Sequence, residues 1–577
     1  MTRVGKWVMI VVLGLLPVFF LPLTQDYYDT NKWALLVAAT IFILILWGLR
    51  VGVTGTVTIA WNRTIKGLGV LTAAALVSLL LSPNKVEALL APFGVGTLLS
   101  LFLIVLIGST FFDEKARNIL RWTLMTTVSL SGLLAIYQFF GLGKLIEINP
   151  GLMTILIVTL PLLIAEAFHR KRAGHDNHMI VAIVMTIASL GGLFFTVYQV
   201  LPKWGTTTLP FWVNWQILLE SYKNWKQLLV GVGAENFLAA FTAGRPAGLN
   251  ETALWNTRFT VGSSMLFHIA TVYGLIGAAA TGWFLWPLRR GLMLAALSLI
   301  FLPPSLPALA VITTLLIFSE STHPISLKGS HLSRLIAALV FLFAAASSYG
   351  LIRAYGAELA FGRSIRALEA RNGTASYNFQ IQAITQNPKV TRFHTSYSQT
   401  NLALASAISG TASASAEDRQ TATQLIQQAI REAKLAVNMA PTNILAWENI
   451  ASVYQTLTGV AQGADQWTVA AYARAMQLDP TNPVIRLRLG GAYVGQQKLD
   501  LAAESYTTAI TLKPDYANAY YNLAFVYREQ KKYALAALAL KETLKYVTPG
   551  GDDRSRTQKE LDELNELLTK EEKLSLP

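Results

Sequence analysis

The sequence predicts an all-α chain in which a polytopic bundle of about 11 transmembrane helices is followed by an α-solenoid of helical repeats. Three observations lead to this prediction. Of the 577 residues, 53% are hydrophobic and only 14% are charged, and the mean hydropathy is +0.43. Residues 33–49 and 179–201 contain no charged side chain. In the last third of the chain, large and small apolar residues recur with a period of about 34 residues.

The apolar runs in residues 1–355 predict the transmembrane helices. A hydrocarbon core of about 30 Å needs about 20 apolar residues in helical form. Pro303 and Pro304 separate the ninth segment from the tenth, so a bent pair there is the alternative to two full spans. Residues 16–22 offer no small-residue cleavage site, and the first segment therefore predicts a signal-anchor. The candidate segments are centred near Leu13, Phe42, Ala75, Phe102, Leu130, Ile157, Ile187, Thr271, Ala295, Val311 and Phe341.

The Lys and Arg residues of the short loops predict the orientation of these helices. Loops rich in basic residues alternate with loops that hold few of them. We therefore expect a multi-pass protein of the bacterial cytoplasmic membrane with a cytoplasmic N-terminus, a long outer loop at residues 202–260 and an extracytoplasmic repeat domain. The basic residues on the predicted cytoplasmic side are Arg3, Lys6, Arg50, Arg63, Lys66, Lys115, Arg117, Arg121, Arg170, Lys171, Arg172, Arg289, Arg290, Lys328 and Arg334.

Charge and cysteine content exclude several kinds of site. Most of the formal net charge of +14 lies in residues 1–355, where it serves to orient helices, so we predict no nucleic-acid-binding surface. The chain has no cysteine, which excludes disulfides, thiol nucleophiles and zinc–thiolate or iron–sulfur sites. We predict neither a metal site nor a cofactor.

Residues 356–554 carry the repeat pattern. Three residues of one unit return 34 residues later, because Leu489, Tyr493 and Ala502 are followed by Leu523, Tyr527 and Ala536. The period and the order of residues resemble the tetratricopeptide repeat, a helix-turn-helix unit with a small residue where its two helices cross. Residues 555–577 are strongly charged and predict a capping helix and tail. Such a stack provides either a concave surface for a protein or peptide, or only a spacer.

The outer loop opens with an amphipathic pattern. Phe211, Trp215, Leu218, Tyr222 and Trp225 recur at helical spacing, with polar residues between them. This stripe predicts a helix that lies either at the membrane interface or against the bundle. Function is sought in this loop because long ordered loops tend to bind ligands.

Short motifs follow this helix. Gly231–Phe237 holds a glycine pair followed by Asn-Phe, and Tyr273–Gly277 ends the next helix with Gly-Leu-Ile-Gly. Upstream lie Leu134–Gly141 and Asn149–Pro150. In this order the motifs resemble the O-antigen ligase and polymerase superfamily, over roughly residues 1–355. The resemblance implies a metal-independent glycosyltransferase that moves a glycan from an undecaprenyl-pyrophosphate donor to an acceptor hydroxyl on the outer face of the membrane.

The chemistry of a departing diphosphate indicates the candidate site residues. Arg245 and Arg258 are the only arginines of the loop, and a guanidinium binds phosphate oxygens in pairs and stays charged. Preorganised cations stabilise such a leaving group without a metal. Arg258 is therefore a candidate catalytic and substrate-binding residue, with a snorkelling interfacial anchor as the alternative. Arg245, Asn236 and Asn250 are candidates for binding substrate.

The candidate base is His268. The resemblance aligns the family's His-Asn pair with Ser263 and Ser264, which are substrate-binding candidates by position. His268 follows Ser263 by five residues and lies on a different helix face, so it is either a relocated base or a packed helix histidine. Glu235 is a candidate for orienting the acceptor, with a solvated loop acid as the alternative.

The sequence is also compatible with two other functions. The serine pair in place of His-Asn favours a noncatalytic, membrane-anchored repeat scaffold for cell-envelope assembly as the alternative to the transferase. A small-solute transporter is disfavoured, because neither paired inverted halves nor intramembrane charges are found. The expected partners are the lipid bilayer, an undecaprenyl-pyrophosphate-linked glycan with a glycan, lipid or protein acceptor, and a protein bound by the repeats.

Overall fold

The computed structural model describes residues 2–142, 150–174, 176–286, 300–319, 323–410 and 415–568. The chain divides into two compact units. The bundle unit comprises Met1–Phe241 and Phe259–Phe393, and the repeat unit comprises Thr242–Arg258 and His394–Pro577. Part of the predicted outer loop therefore belongs to the unit that contains the repeats.

Helices make up most of the bundle unit, and polar caps begin several of them. Asn62 accepts a hydrogen bond from the Ile65 amide at 2.8 Å, and Asp113 accepts one from the Ala116 amide at 2.8 Å. The elements are α1 Thr2–Leu15, α2 Asp29–Thr54, β1 Thr56–Trp61, α3 Arg63–Leu81, α4 Lys85–Leu90, α5 Val95–Gly108, α6 Glu114–Phe139, α7 Pro150–Arg172, α8 Asp176–Thr207, α9 Phe211–Ser221, α10 Trp225–Val230, α11 Phe237–Gly244, α12 Met265–Leu285, α13 Leu306–Ser319, β2 His323–Lys328, α14 Ser330–Glu369 and α15 Gly373–Gln386.

Eight helices of the described residues are long and apolar enough to cross a membrane. One of these spans, Lys85–Gly108, combines α4 and α5. Two further predicted segments form shorter helices, since α1 and α13 have 14 residues each and a span needs about 20. The predicted span near Ala295 lies outside the described residues, and the count of about 11 spans stays a prediction. The eight helices are Asp29–Thr54, Arg63–Leu81, Lys85–Gly108, Glu114–Phe139, Gly151–Arg172, Asp176–Leu201, Met265–Leu285 and His331–Glu369.

Small residues allow α6 and α8 to approach closely. A Cβ atom on Gly132 would lie 2.8 Å from the carbonyl oxygen of Ala188, and one on Gly192 would lie 2.2 Å from Cα of Gly132. The hydroxyls of Ser129 and Ser189 meet at 3.0 Å across the same contact. Close approach through glycine and paired hydroxyls is the packing expected of helices in a bilayer.

The predicted amphipathic helix is present as α9, but its buried face differs from the predicted stripe. Val213 and Ile217 are 0% exposed, whereas Trp215 is 49% exposed. The polar Asn214 also lies on the buried face, because it accepts hydrogen bonds there. Leu218 of the predicted stripe is 5% exposed, so the stripe is only partly buried against the bundle, and a position of its exposed tryptophan at the membrane interface stays a prediction.

Two short strands add to the helical fold, and the sequence pattern did not predict them. Strand β1 pairs antiparallel with β2, with Thr56 opposite Lys328 and Trp61 opposite His323. The pairing joins the loop after α2 to the loop before α14. The two strands are far apart in the sequence, so the only local sign of them is a few β-branched residues. Apolar helices contain such residues too, and the sequence therefore does not distinguish these strands.

Helix α14 spans 40 residues, about 60 Å, and it crosses the predicted boundary at residue 355. The hydroxyl of Tyr355 donates to Asn31 Oδ1 at 2.7 Å, and Nε of Arg353 donates to the carbonyl oxygen of Gln386 at 2.7 Å. Residues 356–393 group with the bundle unit, and the start of the repeat domain at residue 356 stays a prediction. No proline interrupts the helix to mark a boundary.

The repeat unit stacks antiparallel helix pairs with the predicted period. Leu489, Ala502, Leu523 and Ala536 are at most 7% exposed, as the repeat pattern requires. The capping helix begins at Asp552, three residues before the predicted start. The helices of the repeat unit are α16 Thr391–Ser409, α17 Ala416–Met439, α18 Ile444–Thr456, α19 Ala464–Leu478, α20 Pro483–Gly495, α21 Leu499–Leu512, α22 Ala517–Glu529, α23 Tyr533–Tyr546 and α24 Asp552–Leu567.

Candidate functional site

The docked segment, Thr242–Arg258, is the part of the predicted outer loop that belongs to the repeat unit. Its centre forms a short 3₁₀ helix at Ala247–Glu251, entered through Pro246. Leu249 and Asn250 are 0% and 1% exposed. A loop buried this deeply needs partners for its polar groups, and the repeats supply them.

Arg245 holds the docked segment in its folded shape. Its Nη2 donates hydrogen bonds to the side-chain oxygen of Asn250 and to the carbonyl oxygen of Trp255. The hydroxyl of Thr481 donates to the Arg245 carbonyl at 2.9 Å. Burial lowers the pKa of Arg245, and the negative charge of Asp479 opposes this effect. Within the described residues, Nε and Nη1 of Arg245 have no hydrogen-bond partner.

Asn250 connects two turns of the repeats. Its Nδ2 donates to the carbonyl oxygens of Thr481 at 2.8 Å and Leu512 at 3.0 Å. The backbone carbonyl oxygen of Asn250 accepts a hydrogen bond from Nζ of Lys513 at 3.0 Å. Because an asparagine amide has two N–H donors, both are used within this unit. Substrate binding by Asn250 stays a prediction.

Trp255 supplies the apolar contact of the docked segment. Its ring lies 5.1 Å from the ring of Tyr516 in an edge-to-face arrangement, and both pack against Ala509 and Ala519. Nζ of Lys513 lies 4.8 Å from the centroid of the Trp255 ring. Aromatic pairs and cation–π contacts of this geometry are attractive beyond the area they bury.

Arg258 forms a two-pronged ion pair with Glu448. Its Nη1 and Nη2 lie 2.6 and 2.7 Å from the two carboxylate oxygens, and Nη2 lies 3.9 Å from Oδ2 of Asp479. Burial alone would lower the pKa of Arg258, but the hydrogen bonds and charge of Glu448, and the charge of Asp479, raise it. Two parallel charge-assisted hydrogen bonds form a strong and directional pair. Phosphate binding by Arg258 stays a prediction, and in this structure a carboxylate occupies its guanidinium.

Asp479 is 0% exposed and interacts electrostatically with both Arg245 and Arg258. Its Oδ2 accepts a hydrogen bond from Nδ2 of Asn482 at 2.7 Å. The pKa of Asp479 is raised, chiefly by burial and further by the charge of Glu448, although the Asn482 hydrogen bond and the charges of Arg245 and Arg258 oppose the shift. A buried carboxylate needs such partners to remain in the interior.

The serine pair and the candidate base belong to the bundle unit. Ser264 caps α12, since its hydroxyl accepts from the Phe267 amide at 3.1 Å. The amide of Ser263 donates to Oδ1 of Asn214 at 2.7 Å. Nδ1 of His268 accepts from the Gly262 amide at 3.3 Å, and its ring lies 5.3 Å from that of Phe237. These contacts hold the start of α12, and the catalytic role of His268 stays a prediction.

Glu235 has the most unusual environment of the predicted site residues in the bundle unit. Its backbone is left-handed, with a φ of 59°, which is strained for a residue with a side chain. Glu235 is exposed to solvent as a residue, although many protein atoms surround its carboxyl group. This desolvation, together with the negative charge of Glu87, raises the pKa of Glu235 to about 7. Beside it, Nδ2 of Asn236 donates to the Val232 carbonyl at 3.1 Å.

The glycines of the two motifs form a close backbone contact. Gly231 and Gly274 have φ values of 78° and 68°, and Gly274 kinks α12. A Cβ atom on Gly274 would lie 2.5 Å from the carbonyl carbon of Leu229, and one on Gly231 would lie 2.1 Å from the carbonyl oxygen of Val272. Packing therefore explains these motif glycines. Asn149 of the upstream motif lies outside the described residues.

The predicted site residues fall into two groups. Arg245, Asn250 and Arg258 meet in the repeat unit, whereas the other five, Glu235, Asn236, Ser263, Ser264 and His268, belong to the bundle unit. The described residues contain no cluster of His, Asp and Glu that could hold a metal ion. Sequence reasoning missed Glu448, Asp479, Lys513 and Tyr516. One signal was present, because Asp479 and Lys513 are charged residues 34 positions apart, each directly before a proline.

Residues 492–531 match the family model of the tetratricopeptide repeat. The C-terminal solenoid therefore contains a tetratricopeptide repeat. It is similar to solved structures of MamA from Desulfovibrio magneticus RS-1, at 14% identity over 33% of this chain and 94% of that one with a TM-score of 0.27. TTC0263, a tetratricopeptide protein of Thermus thermophilus, shares 16% identity over 37% of this chain and 100% of its own, with a TM-score of 0.27. No curated protein matches the chain.

Proposed function

We propose that this protein is a membrane-anchored tetratricopeptide scaffold for cell-envelope assembly. One observation carries the proposal: helices long and apolar enough to cross a membrane share a chain with a tetratricopeptide domain. Stacked repeats of this type present extended surfaces that bind proteins. A bilayer-anchored stack would keep such a partner at the membrane surface.

The docked segment supports a location of the tetratricopeptide domain on one defined face of the bilayer. In sequence the segment lies between the candidate spans Asp176–Leu201 and Met265–Leu285, and it folds with the repeats. Segment and domain must then share one side of the membrane. The basic residues of the short loops favour the extracytoplasmic side for both and the cytoplasm for the N-terminus.

Single cysteines test this topology without background, because the chain has none of its own. Val460 is 74% exposed in the tetratricopeptide domain, and Lys328 lies on an exposed strand near the predicted cytoplasmic side. We expect Val460→Cys to react with a membrane-impermeant maleimide in spheroplasts, and Lys328→Cys to react only after the membrane is opened. Labelling of Val460→Cys only after opening would place the repeats in the cytoplasm.

An exposed tryptophan supports partner binding by the tetratricopeptide domain. Trp467 is 57% exposed, stacks on Tyr454 with ring centroids 6.1 Å apart, and has Nζ of Lys434 5.9 Å from its ring. Exposed tryptophans of this kind often anchor interfaces. We expect a photoreactive p-benzoylphenylalanine at position 467 to give one discrete crosslinked protein in intact cells, and the same probe at the exposed Lys541 to give none. Absence of a discrete product at position 467 would count against the scaffold.

A second candidate function is transfer of a glycan from an undecaprenyl-pyrophosphate donor to an acceptor hydroxyl. The environment of Glu235 favours it, since a solvent-exposed carboxyl on a strained backbone, with its pKa raised to about 7, is suited to general base catalysis. In this proposal Glu235 takes the proton of the acceptor hydroxyl as that oxygen attacks the donor sugar, and the diphosphate leaves. The eight apolar helices would then form the binding site for the lipid-linked donor.

Glycan transfer by the full chain in proteoliposomes separates the two candidates. If the parent transfers glycan from a lipid-linked donor, Glu235→Gln should lower the rate by about 100-fold or more. The parent rate should rise with pH through about 7, because the base must be ionised, and the residual rate of the variant should not. Arg258→Ala and His268→Ala test the remaining predicted roles. A parent that transfers nothing leaves the scaffold as the sole proposal.

The raised pKa of Glu235 also predicts how the stability of the protein depends on pH, whether or not the protein has enzymatic activity. This pKa is raised from 4.5 to about 7 in the folded chain, so folding favours the protonated form. Stability should therefore fall as pH rises from about 5 to about 7, where the unfolded state loses this proton first. We expect Glu235→Gln to show a smaller fall of the unfolding temperature over this range in detergent. An equal fall in parent and variant would contradict the raised pKa.

A further inference from the structure

We propose that the docked segment is a resident peptide ligand of the tetratricopeptide domain, which binds it in cis and is thereby closed to other peptides at this surface. The surface, here named the clasp, is formed by Glu448, Asp479, Thr481, Lys513 and Tyr516. This inference does not depend on the proposed function, because it concerns binding between two segments of the same chain.

Recognition uses three side chains of the docked segment, each with its own chemistry. Arg258 engages a carboxylate, Asn250 engages two backbone carbonyls, and Trp255 packs on an aromatic ring. Arg245 shapes the segment from within, through Asn250 and the Trp255 carbonyl. A peptide that lacks one of these groups would leave a buried polar atom or an apolar contact of the clasp without its partner.

Two equivalent positions of successive repeats set the direction in which the segment binds. Asp479 and Lys513 lie 34 residues apart, precede Pro480 and Pro514, and are 0% and 7% exposed. The carboxylate of Asp479 interacts with the arginines, whereas Nζ of Lys513 bonds the Asn250 carbonyl. A segment bound in the reverse direction would bring a guanidinium to the lysine. Like charges placed together in a buried site are strongly unfavourable, so one direction is selected.

Chain connectivity favours the resident segment over a free peptide. Directly outside its two ends, the rings of Phe241 and Phe259 contact each other with centroids 5.6 Å apart. Both side chains are buried, at 0% and 7% exposure. The ends of the segment are thus already close together, and most of the entropy of closing this loop is lost before docking. An attached ligand of this kind acts at an effective concentration in the millimolar range, which a free peptide rarely reaches.

A charge swap in the full chain tests this inference. The Trp255 amide donates to Thr252 and the Thr257 amide to Leu254, so hydrogen exchange at these amides reports the order of the docked segment. We expect Arg258→Glu and Glu448→Arg each to speed this exchange by about tenfold or more, and the double variant to exchange more slowly than either single variant, with only partial recovery because Asp479 and Arg488 lie 3.9 Å from the original pair.

Two controls complete the test. Glu504→Gln removes an exposed charge elsewhere in the repeats and should leave exchange in the segment unchanged. A synthetic peptide with the sequence of residues 242–258 should bind the Arg258→Glu variant, whose clasp is vacated, about tenfold more tightly than it binds the parent. Equal exchange in all proteins, a double variant as fast as the singles, or equal peptide binding by parent and variant would overturn the inference.

Discussion

Replacing Gly274 by alanine should destabilise the bundle unit by more than about 3 kcal/mol. Two costs combine at this position. The backbone has a φ of 68°, which an L-residue adopts only with strain. The new Cβ atom would lie 2.5 Å from the carbonyl carbon of Leu229 and 2.6 Å from the amide nitrogen of Gly231. Backbone atoms cannot move aside as the end of a flexible side chain can, so the contact between α10 and α12 has to open.

Gly282 is the matched control, because it lies on the same helix with nothing within 4 Å of a Cβ atom. Alanine there should be neutral or stabilise the helix by up to about 1 kcal/mol. Thermal unfolding of the full chain in detergent, followed by circular dichroism, measures both variants. Equal unfolding temperatures for Gly274→Ala and Gly282→Ala would show that the kink at Gly274 does not constrain the bundle.

Replacing Glu448 by alanine should destabilise the repeat unit by about 2–4 kcal/mol. The guanidinium of Arg258 would lose both of its short hydrogen bonds, and Asp479 at 3.9 Å would remain as its nearest carboxylate. A charge left in a largely buried site without its partner costs far more than the loss of an exposed ion pair. Because the pair is only 21% and 10% exposed, the effect should persist in about 1 M salt.

Chemical denaturation of the full chain at low and high salt measures this effect, with Glu504→Ala as the exposed control. We expect the control to change the free energy of unfolding by less than about 0.5 kcal/mol. A Glu448→Ala midpoint equal to that of the parent, or an effect that disappears in high salt, would mean that the Arg258–Glu448 pair behaves as a surface ion pair.

The repeat architecture could be predicted because its signals are local and periodic. Leu489 and Ala502 mark one helix pair, and the next pair repeats them at a fixed distance along the chain. The left-handed turn residues Gln497 and Lys531 follow the same 34-residue period, with φ values of 58° and 60°, although neither is a glycine. The boundary at residue 355 could not be predicted in this way, because an uninterrupted helix carries no sequence signal at the point where its packing partners change.

The partners of Arg245 and Arg258 could not be predicted because a guanidinium has the same preference for a phosphate as for a carboxylate. The sequence shows two arginines in a polar loop but not which anion meets them. Asp479 and Glu448 lie about 190 residues or more further along the chain than the loop. Only the long-range packing of the docked segment decides between these anions. The motif glycines, by contrast, could be located, but their role is a backbone contact between Gly231 and Gly274 that no short motif reveals.

A photocrosslink from the docked segment tests most directly whether this segment binds to the tetratricopeptide domain. With p-benzoylphenylalanine in place of Trp255 in the full chain, irradiation should join this position to the peptide that contains Ala509, Tyr516 and Ala519, which pack around the tryptophan. The crosslink should form within single molecules and weaken in the Arg258→Glu variant. Crosslinks that lead only to peptides of the bundle unit, or to none, would contradict the assignment of the segment to the tetratricopeptide domain.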